Sequence, residues 1–177
     1  MKRIAVFGKP GGGKSTLGRK LAQAKGVELF PLDLMAYRAD GTRVSNEEYD
    51  AAHRAILDRD GWIIEGLGTL ESFWQRLESA DTLIYVDLPY WQHYWFTCKR
   101  LLQSAWLRPE GWPEGWPEGS SVLKGTLASW KYLRLSPRFW NSALLARIEA
   151  SAAGKALYHL QSTADIDAFV NAHTVRR

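Results

Sequence analysis

The residues best able to do chemistry stand together near the amino terminus, where Gly8, Gly11, Gly12, Gly13, Lys14 and Ser15 fit the spacing G-x-x-x-x-G-K-[ST]. That pattern suits a polyphosphate. Glycines without a Cβ let the backbone curl so that several N–H groups converge on one anion. Those amides open a helix, where unpaired donors and the macrodipole both favour negative charge. Lys14 is placed to reach the β- and γ-phosphates, Ser15 to offer its hydroxyl to a phosphate-bound Mg²⁺, and Thr16 to lie beside the α-phosphate. A plain glycine turn before a helix would lack the surrounding context. Residues 2–7 (KRIAVF) read as a strand, and Leu17, Leu21 and Ala24 recur at i, i+4, i+7 as one buried helical stripe.

Three acids fall at the ends of expected strands. Residues 27–32 read as a strand ending at Asp33, where a carboxylate either orients and deprotonates an acceptor hydroxyl or caps a turn. The apolar run 62–64 ends in Glu65-Gly66, the expected place for a carboxylate that orients Mg²⁺ through water, although Glu is one methylene longer than Asp. Residues 81–87 form a fourth strand, so Asp87 faces the same end or holds the Pro89 turn. The bases lie further on. A helix over 90–106, with Tyr94, Cys98, Leu101 and Ala105 as its apolar stripe, carries Arg100 alongside a bound triphosphate. Between Glu118 and Glu149 stand Lys124, Lys131, Arg134, Arg138 and Arg147 with no acid among them. Such a run is a phosphate clamp, a nucleic-acid patch or a solvated helix face.

The elements that must position these groups follow from punctuation and periodicity. Ser45 and Glu48 have capping-box spacing and open a helix whose apolar face is Tyr49, Ala52 and Ile56, with His53 as a structural residue. Thr69 caps another with Leu70, Phe73, Trp74 and Leu77 facing the core. Residues 109–119 repeat Pro-Glu-Gly-Trp, a turn-rich loop exposing Trp112 and Trp116. Helices over 120–130 and 138–150, a final strand over 156–160 containing a packed His159, and a helix over 164–170 complete the chain. Strand and helix alternate from residue 2 onward. The expected class is therefore α/β, with five parallel strands and helices on both faces.

Bulk properties bound the rest. A chain of 177 residues with 46% hydrophobic content buries one sizeable core, so residues 1–177 are expected to form a single domain with an excursion at about 107–150. The net charge of +4 resides in the second half: residues 1–90 carry 12 Lys and Arg against 13 Asp and Glu, and residues 91–177 carry 11 against 6. A lone cysteine, Cys98, excludes an internal disulfide and a cysteine-cluster metal site. No apolar run approaches the roughly 18 residues of a membrane span, so a cytoplasmic protein with no membrane partner is expected, its oligomeric state open.

The motif GKPGGGKST over residues 8–16, the Leu32-Asp33 tip, and GWIIEG over 61–66 followed by DLP over 87–89 give the chain a family likeness. It resembles the small P-loop kinases of the adenylate kinase and shikimate kinase superfamily, closest to the group labelled adenylate kinase-related or DNA topology modulation (FlaR-like) proteins. The resemblance implies a P-loop NTPase three-layer sandwich with a helical lid inserted before the last strand, ATP and Mg²⁺ as cofactors, and lid arginines over the γ-phosphate. Arg134, Arg138 and Arg147 are the candidates. Adenylate kinases continue the third strand tip with Phe-Pro-Arg, whose arginine grips the acceptor nucleotide; Leu67, Gly68 and Thr69 stand here, which argues against AMP. The expected activity is ATP- and Mg²⁺-dependent transfer of a phosphoryl group to a small acceptor. Its rivals are a nucleotide-binding regulator on DNA and a simple NTPase. The sequence has no helix-turn-helix pattern to favour nucleic acid.

Overall fold

The computed structural model describes residues 1–38, 42–103 and 122–174. The 109–119 repeat lies outside them. Strands β1 (Arg3–Gly8), β2 (Leu29–Pro31), β3 (Trp62–Glu65), β4 (Thr82–Val86) and β5 (Ala156–Leu160) form one sheet in the order β2-β3-β1-β4-β5, every pairing parallel. The crossovers are helical. Helix α1 (Lys14–Lys25) follows β1, α2 (Leu32–Met35) and α3 (Asn46–Leu57) follow β2, and α4 (Leu70–Ser79) follows β3. Between β4 and β5 run α5 (Tyr90–Gln103), α6 (Val122–Leu135) and α7 (Ser142–Ser151), and α8 (Thr163–Thr174) closes the series.

Alternation along the strands divides the core into two layers. Ile4, Val6, Ile63, Ile84 and Val86 point to the face covered by α1 and α8, where Leu17, Leu21 and Phe169 meet them. Ala5, Phe7, Ile64, Leu83 and Tyr85 point to the other face, covered by α3, α4 and α7. Both faces are dry, as a parallel sheet requires. From β1 the chain first winds to one side, through β2 and β3, and then to the other, through β4 and β5. The crevice beyond the carboxyl end of β1 is thus the switch point at which such sheets bind ligands.

Several expected boundaries move. The second strand was expected over 27–32 but pairs over Leu29–Pro31, because Pro31 has no N–H to continue a ladder and sits instead at the N-cap of α2. Asp33 therefore stands in the first turn of a short helix and not at a strand tip. The expected helix over 120–130 extends to Leu135. Its successor begins at Ser142 instead of 138, since a 3₁₀ turn at Ser136–Arg138 containing Pro137 intervenes and the Asn141 side chain accepts from Leu144 N at 3.0 Å as the true cap. In α5 the expected stripe of Tyr94, Cys98 and Leu101 is half-buried, and the buried positions are His93 and Thr97. The Ser45–Glu48 capping box and the Thr69 cap form as expected.

Candidate functional site

The glycine loop leaves β1 pressed against its neighbours. Gly8 has φ +139°, and a Cβ there would lie 2.1 Å from the Val86 carbonyl oxygen. At Gly11, φ +77°, a Cβ would meet the His93 carbonyl oxygen at 2.8 Å and Thr97 Cγ2 at 2.9 Å. Only glycine lets the loop pass so close to β4 and α5. Helix α5 braces it from behind. The Nδ1–H of His93 donates to Pro10 O at 2.8 Å, and the Thr97 hydroxyl donates to His93 O at 3.0 Å while accepting from Trp130 Nε1 at 2.9 Å. A continuous polar chain therefore links α6 to the glycine loop through α5. Burial, with Lys9 and Lys14 nearby, pushes the His93 pKa down to about 4 and keeps the imidazole neutral.

Lys9 and Asp87 hold the front of the loop. The Lys9 ammonium is buried, pairs with Asp87 Oδ1 and lies 4.6 Å from the Tyr90 ring centroid. His159 Nε2 donates to Asp87 Oδ2 at 3.0 Å, its ring stacked on Tyr85 at 4.8 Å. Burial works to raise the Asp87 carboxyl, but the bonds from Lys9 and His159 outweigh it and hold the pKa below its usual value. Both Asp87 oxygens are engaged. This carboxylate, considered from the sequence as a group facing the phosphate end, is a clamp for the loop. His159, expected to be packed, is its second partner.

Lys14, Ser15 and Glu65 meet at the start of α1. Lys14 is 8% exposed and its amine donates to Lys9 O at 2.8 Å. Its pKa is lowered by burial, against the pull of Glu65 and Asp33, with Arg100 adding to the lowering. Glu65, level with Val6 in the sheet, accepts from the Ser15 hydroxyl at 3.2 Å. Burial raises its pKa, and Lys14 acts against that rise. A buried carboxylate and a hydroxyl beside an anion cradle suit a hard cation. Among the described residues no group of three or more His, Cys, Asp or Glu could hold a metal by itself.

These groups open on a cavity of about 580 Å³, a size that suits small-molecule sites. One wall is the loop with Lys14, Ser15 and Thr16. A second carries Asp33, Tyr37, Arg43, Asn46 and Tyr49 from the α2–α3 segment, and a third is Gly66, Leu67, Gly68 and Thr69. The fourth comes from α5 and α6, with Thr97, Arg100, Thr126, Ser129 and Tyr132. Arg100 is exposed overall, yet crowding at the wall lowers its pKa, opposed by Glu65 and Asp33. Behind the third wall Arg76 is fully buried and donates to Gly66 O at 2.8 Å and Leu67 O at 3.4 Å, its pKa drawn down to about 10 by burial.

The structure thus brings together Gly8, Gly11, Gly13, Lys14, Ser15, Thr16, Asp33, Glu65 and Arg100 of the residues expected from sequence, with Gly12 packed against His93 behind the loop. Arg134, Arg138 and Arg147 do not line the cavity; Arg134 and Arg138 are exposed on α6 and the 3₁₀ turn, and the Arg147 guanidinium lies 3.9 Å from the Trp74 ring centroid. Sequence reasoning missed Lys9, Arg76, His93 and Tyr132. For His93 and Thr97 a signal existed: two polar residues one turn apart inside an aromatic helix.

The chain is 30% identical over 99 residues to a shikimate kinase of Mycobacterium tuberculosis and 29% identical over the same length to one of Rhodococcus jostii, covering 49% of this chain in each case. It spans 56% and 59% of those relatives, somewhat over half their length. Among solved structures it resembles the shikimate kinase of Acinetobacter baumannii in complex with shikimate, with a TM-score of 0.52, 15% identity, and 97% of this chain and 90% of that chain covered. That likeness shows the fold: an α/β P-loop sandwich about an all-parallel five-stranded sheet. No family model matches the chain. Among the described residues no helix is long and apolar enough to cross a membrane.

Proposed function

We propose that this chain is an ATP- and Mg²⁺-dependent small-molecule kinase of the adenylate kinase and shikimate kinase superfamily, within it of the adenylate kinase-related, FlaR-like group. One observation carries the reading: Lys14, the Ser15–Glu65 pair and Asp33 face a single cavity with room for both a polyphosphate tail and an acceptor. Similarity to shikimate kinases over half the chain supports it.

In this reading the amides of residues 8–16 bind the donor phosphates, and Ser15 with Glu65 would hold Mg²⁺, whose charge would offset that of the phosphoryl oxygens. Lys14 leaves the Lys9 carbonyl for the phosphates, a stronger partner for an ammonium whose burial disfavours its charge. Asp33, exposed across the cavity, orients the acceptor hydroxyl and takes its proton. Arg100 flanks the triphosphate. Arg134, Arg138 and Arg147 enter this scheme only through a closing movement of the excursion. The acceptor is a small hydroxyl-bearing molecule, with the 66–69 loop in place of an AMP-gripping arginine.

The test is ATP consumption across a panel of nucleosides, nucleotides, sugars and hydroxy acids, with product analysis, beside Lys14→Ala. A phosphorylated acceptor, lost in the variant, supports the proposal. Free phosphate as the sole product with every acceptor refutes transfer, and turnover retained by Lys14→Ala refutes the site.

A further inference from the structure

The wall that α5 and α6 give the cavity also has an outer side. On α5, Trp91, Trp95, Lys99 and Leu102 stand at i, i+4, i+8 and i+11, one helical face, half a turn round from the His93 and Thr97 that brace the glycine loop. All four are exposed, the tryptophans by 66% and 57%. On α6, Leu123, Leu127, Lys131 and Arg134 repeat that spacing and are exposed too. They lie across their helix from Gly125, Ser129 and Tyr132, which line the cavity. Indoles and leucines left this open along two packed helices mark an interaction surface. The charge is equally one-sided. Helices α5 and α6 carry Lys99, Arg100, Lys124, Lys131 and Arg134 and no acid. Among the described residues, Lys99, Lys131 and Arg134 enter none of the ion pairs.

A face that is at once apolar and cationic narrows its partner. A second copy docked through the same face would set these bases against their own likeness, with no acid on either helix to meet them. A nucleic acid would use the bases and stack on the tryptophans, but Leu102, Leu123 and Leu127 would gain nothing from it. An anionic bilayer uses every one of these groups: leucines and indoles enter the acyl boundary, and the basic side chains stay level with the phosphates. We propose that the outer faces of α5 and α6 form a docking surface for an anionic phospholipid membrane. The sequence argued against a membrane because it holds no span, and no helix of the described residues is long and apolar enough to make one. A helix pair lying in the interfacial plane needs none.

The test is co-sedimentation of the full chain with sucrose-loaded vesicles of phosphatidylcholine, alone or with about one third phosphatidylglycerol. Wild-type protein should pellet with the anionic vesicles and stay in solution with the neutral ones. Trp91→Gln combined with Trp95→Gln keeps every charge and should weaken partitioning by about tenfold or more, the loss of two interfacial indoles. Lys99→Gln combined with Lys131→Gln keeps the apolar stripe and should weaken it about 25-fold, about fivefold per base. All four positions are exposed, so both variants should keep the wild-type circular dichroism spectrum, which separates lost docking from lost fold. No binding by wild type, equal binding to both lipids, or a loss confined to the lysine pair overturns the proposal, the last because it is adsorption by net charge alone. Protein that ignores the vesicles but binds single-stranded DNA, or dimerises, through the same tryptophans assigns the face to that partner and overturns the proposal as well.

Discussion

Mild acid should destabilise this protein before its carboxylates are protonated, because two histidines are buried neutral. His53 and His93 are both 0% exposed, and burial draws each pKa from 6.5 down to about 4. Between those values the unfolded chain binds protons that the folded chain refuses, so stability rises with pH through this window. It is fully present above about pH 6.5 and is lost as pH falls toward 4. From pH 7 to 5.5 each histidine removes about 1.3 kcal/mol and the pair about 2.5 kcal/mol, a large share of the roughly 5–15 kcal/mol typical of a folded domain. Glu65 acts in the opposite sense, since its raised pKa lets the folded state keep a proton the unfolded state has lost. Single variants separate these contributions. Denaturant midpoints for wild type, His53→Leu and His93→Asn, measured from pH 7 to 5.5, should show each variant losing about 1.3 kcal/mol less than wild type over the interval. Variants whose stability falls in parallel with wild type would refute the claim that these imidazoles are neutral.

Two further outcomes follow from the packing of the loop. Gly8→Ala places a methyl 2.1 Å from a β4 carbonyl at a backbone angle that L-residues avoid, so it should cost above about 4 kcal/mol and show as insoluble or unfolded protein by circular dichroism. Asp87→Asn removes the anion between Lys9 and His159 and strands a buried ammonium; a loss of about 3–5 kcal/mol in chemical denaturation is expected, and a loss below about 1 kcal/mol would show that the clamp is not structural.

The parts of the site that were legible in the sequence are local. Residues 8–16 carry their own geometry, and Glu65 and Asp87 were located by strand ends that apolar runs reveal. Asp33 lines the same cavity as Lys14, although it is not the strand end the sequence suggested, since Pro31 had already stopped that strand. The unreadable parts depend on contacts between distant segments. His93 is 83 residues from the carbonyl it supports, Lys9 is 78 from Asp87, and the Arg76 guanidinium serves backbone oxygens that carry no sequence signal. The charge run from Lys124 to Arg147 suggested a clamp by composition, but composition cannot say which face of a helix turns inward. On α6 it is the face of Gly125, Ser129 and Tyr132 that lines the cavity, and Arg134 stays outside.

The buried face of α5 has a requirement that explains its composition. The glycines that let the loop curl leave no side chains of their own to pack behind it, and the surface they present is backbone, including the Pro10 carbonyl. An apolar residue there would leave that oxygen unpaired in the interior, at a cost of roughly 1–3 kcal/mol. A lysine would set another buried cation beside Lys9 and Lys14. Neutral histidine satisfies both constraints: it donates from Nδ1, fills the gap against Gly12, and the two ammonium groups that the loop must carry help keep it uncharged. Burial is the main cause of the depressed His93 pKa and the two ammonium groups add to it, so binding a polyphosphate beside Lys14 should recover only the smaller part of the shift.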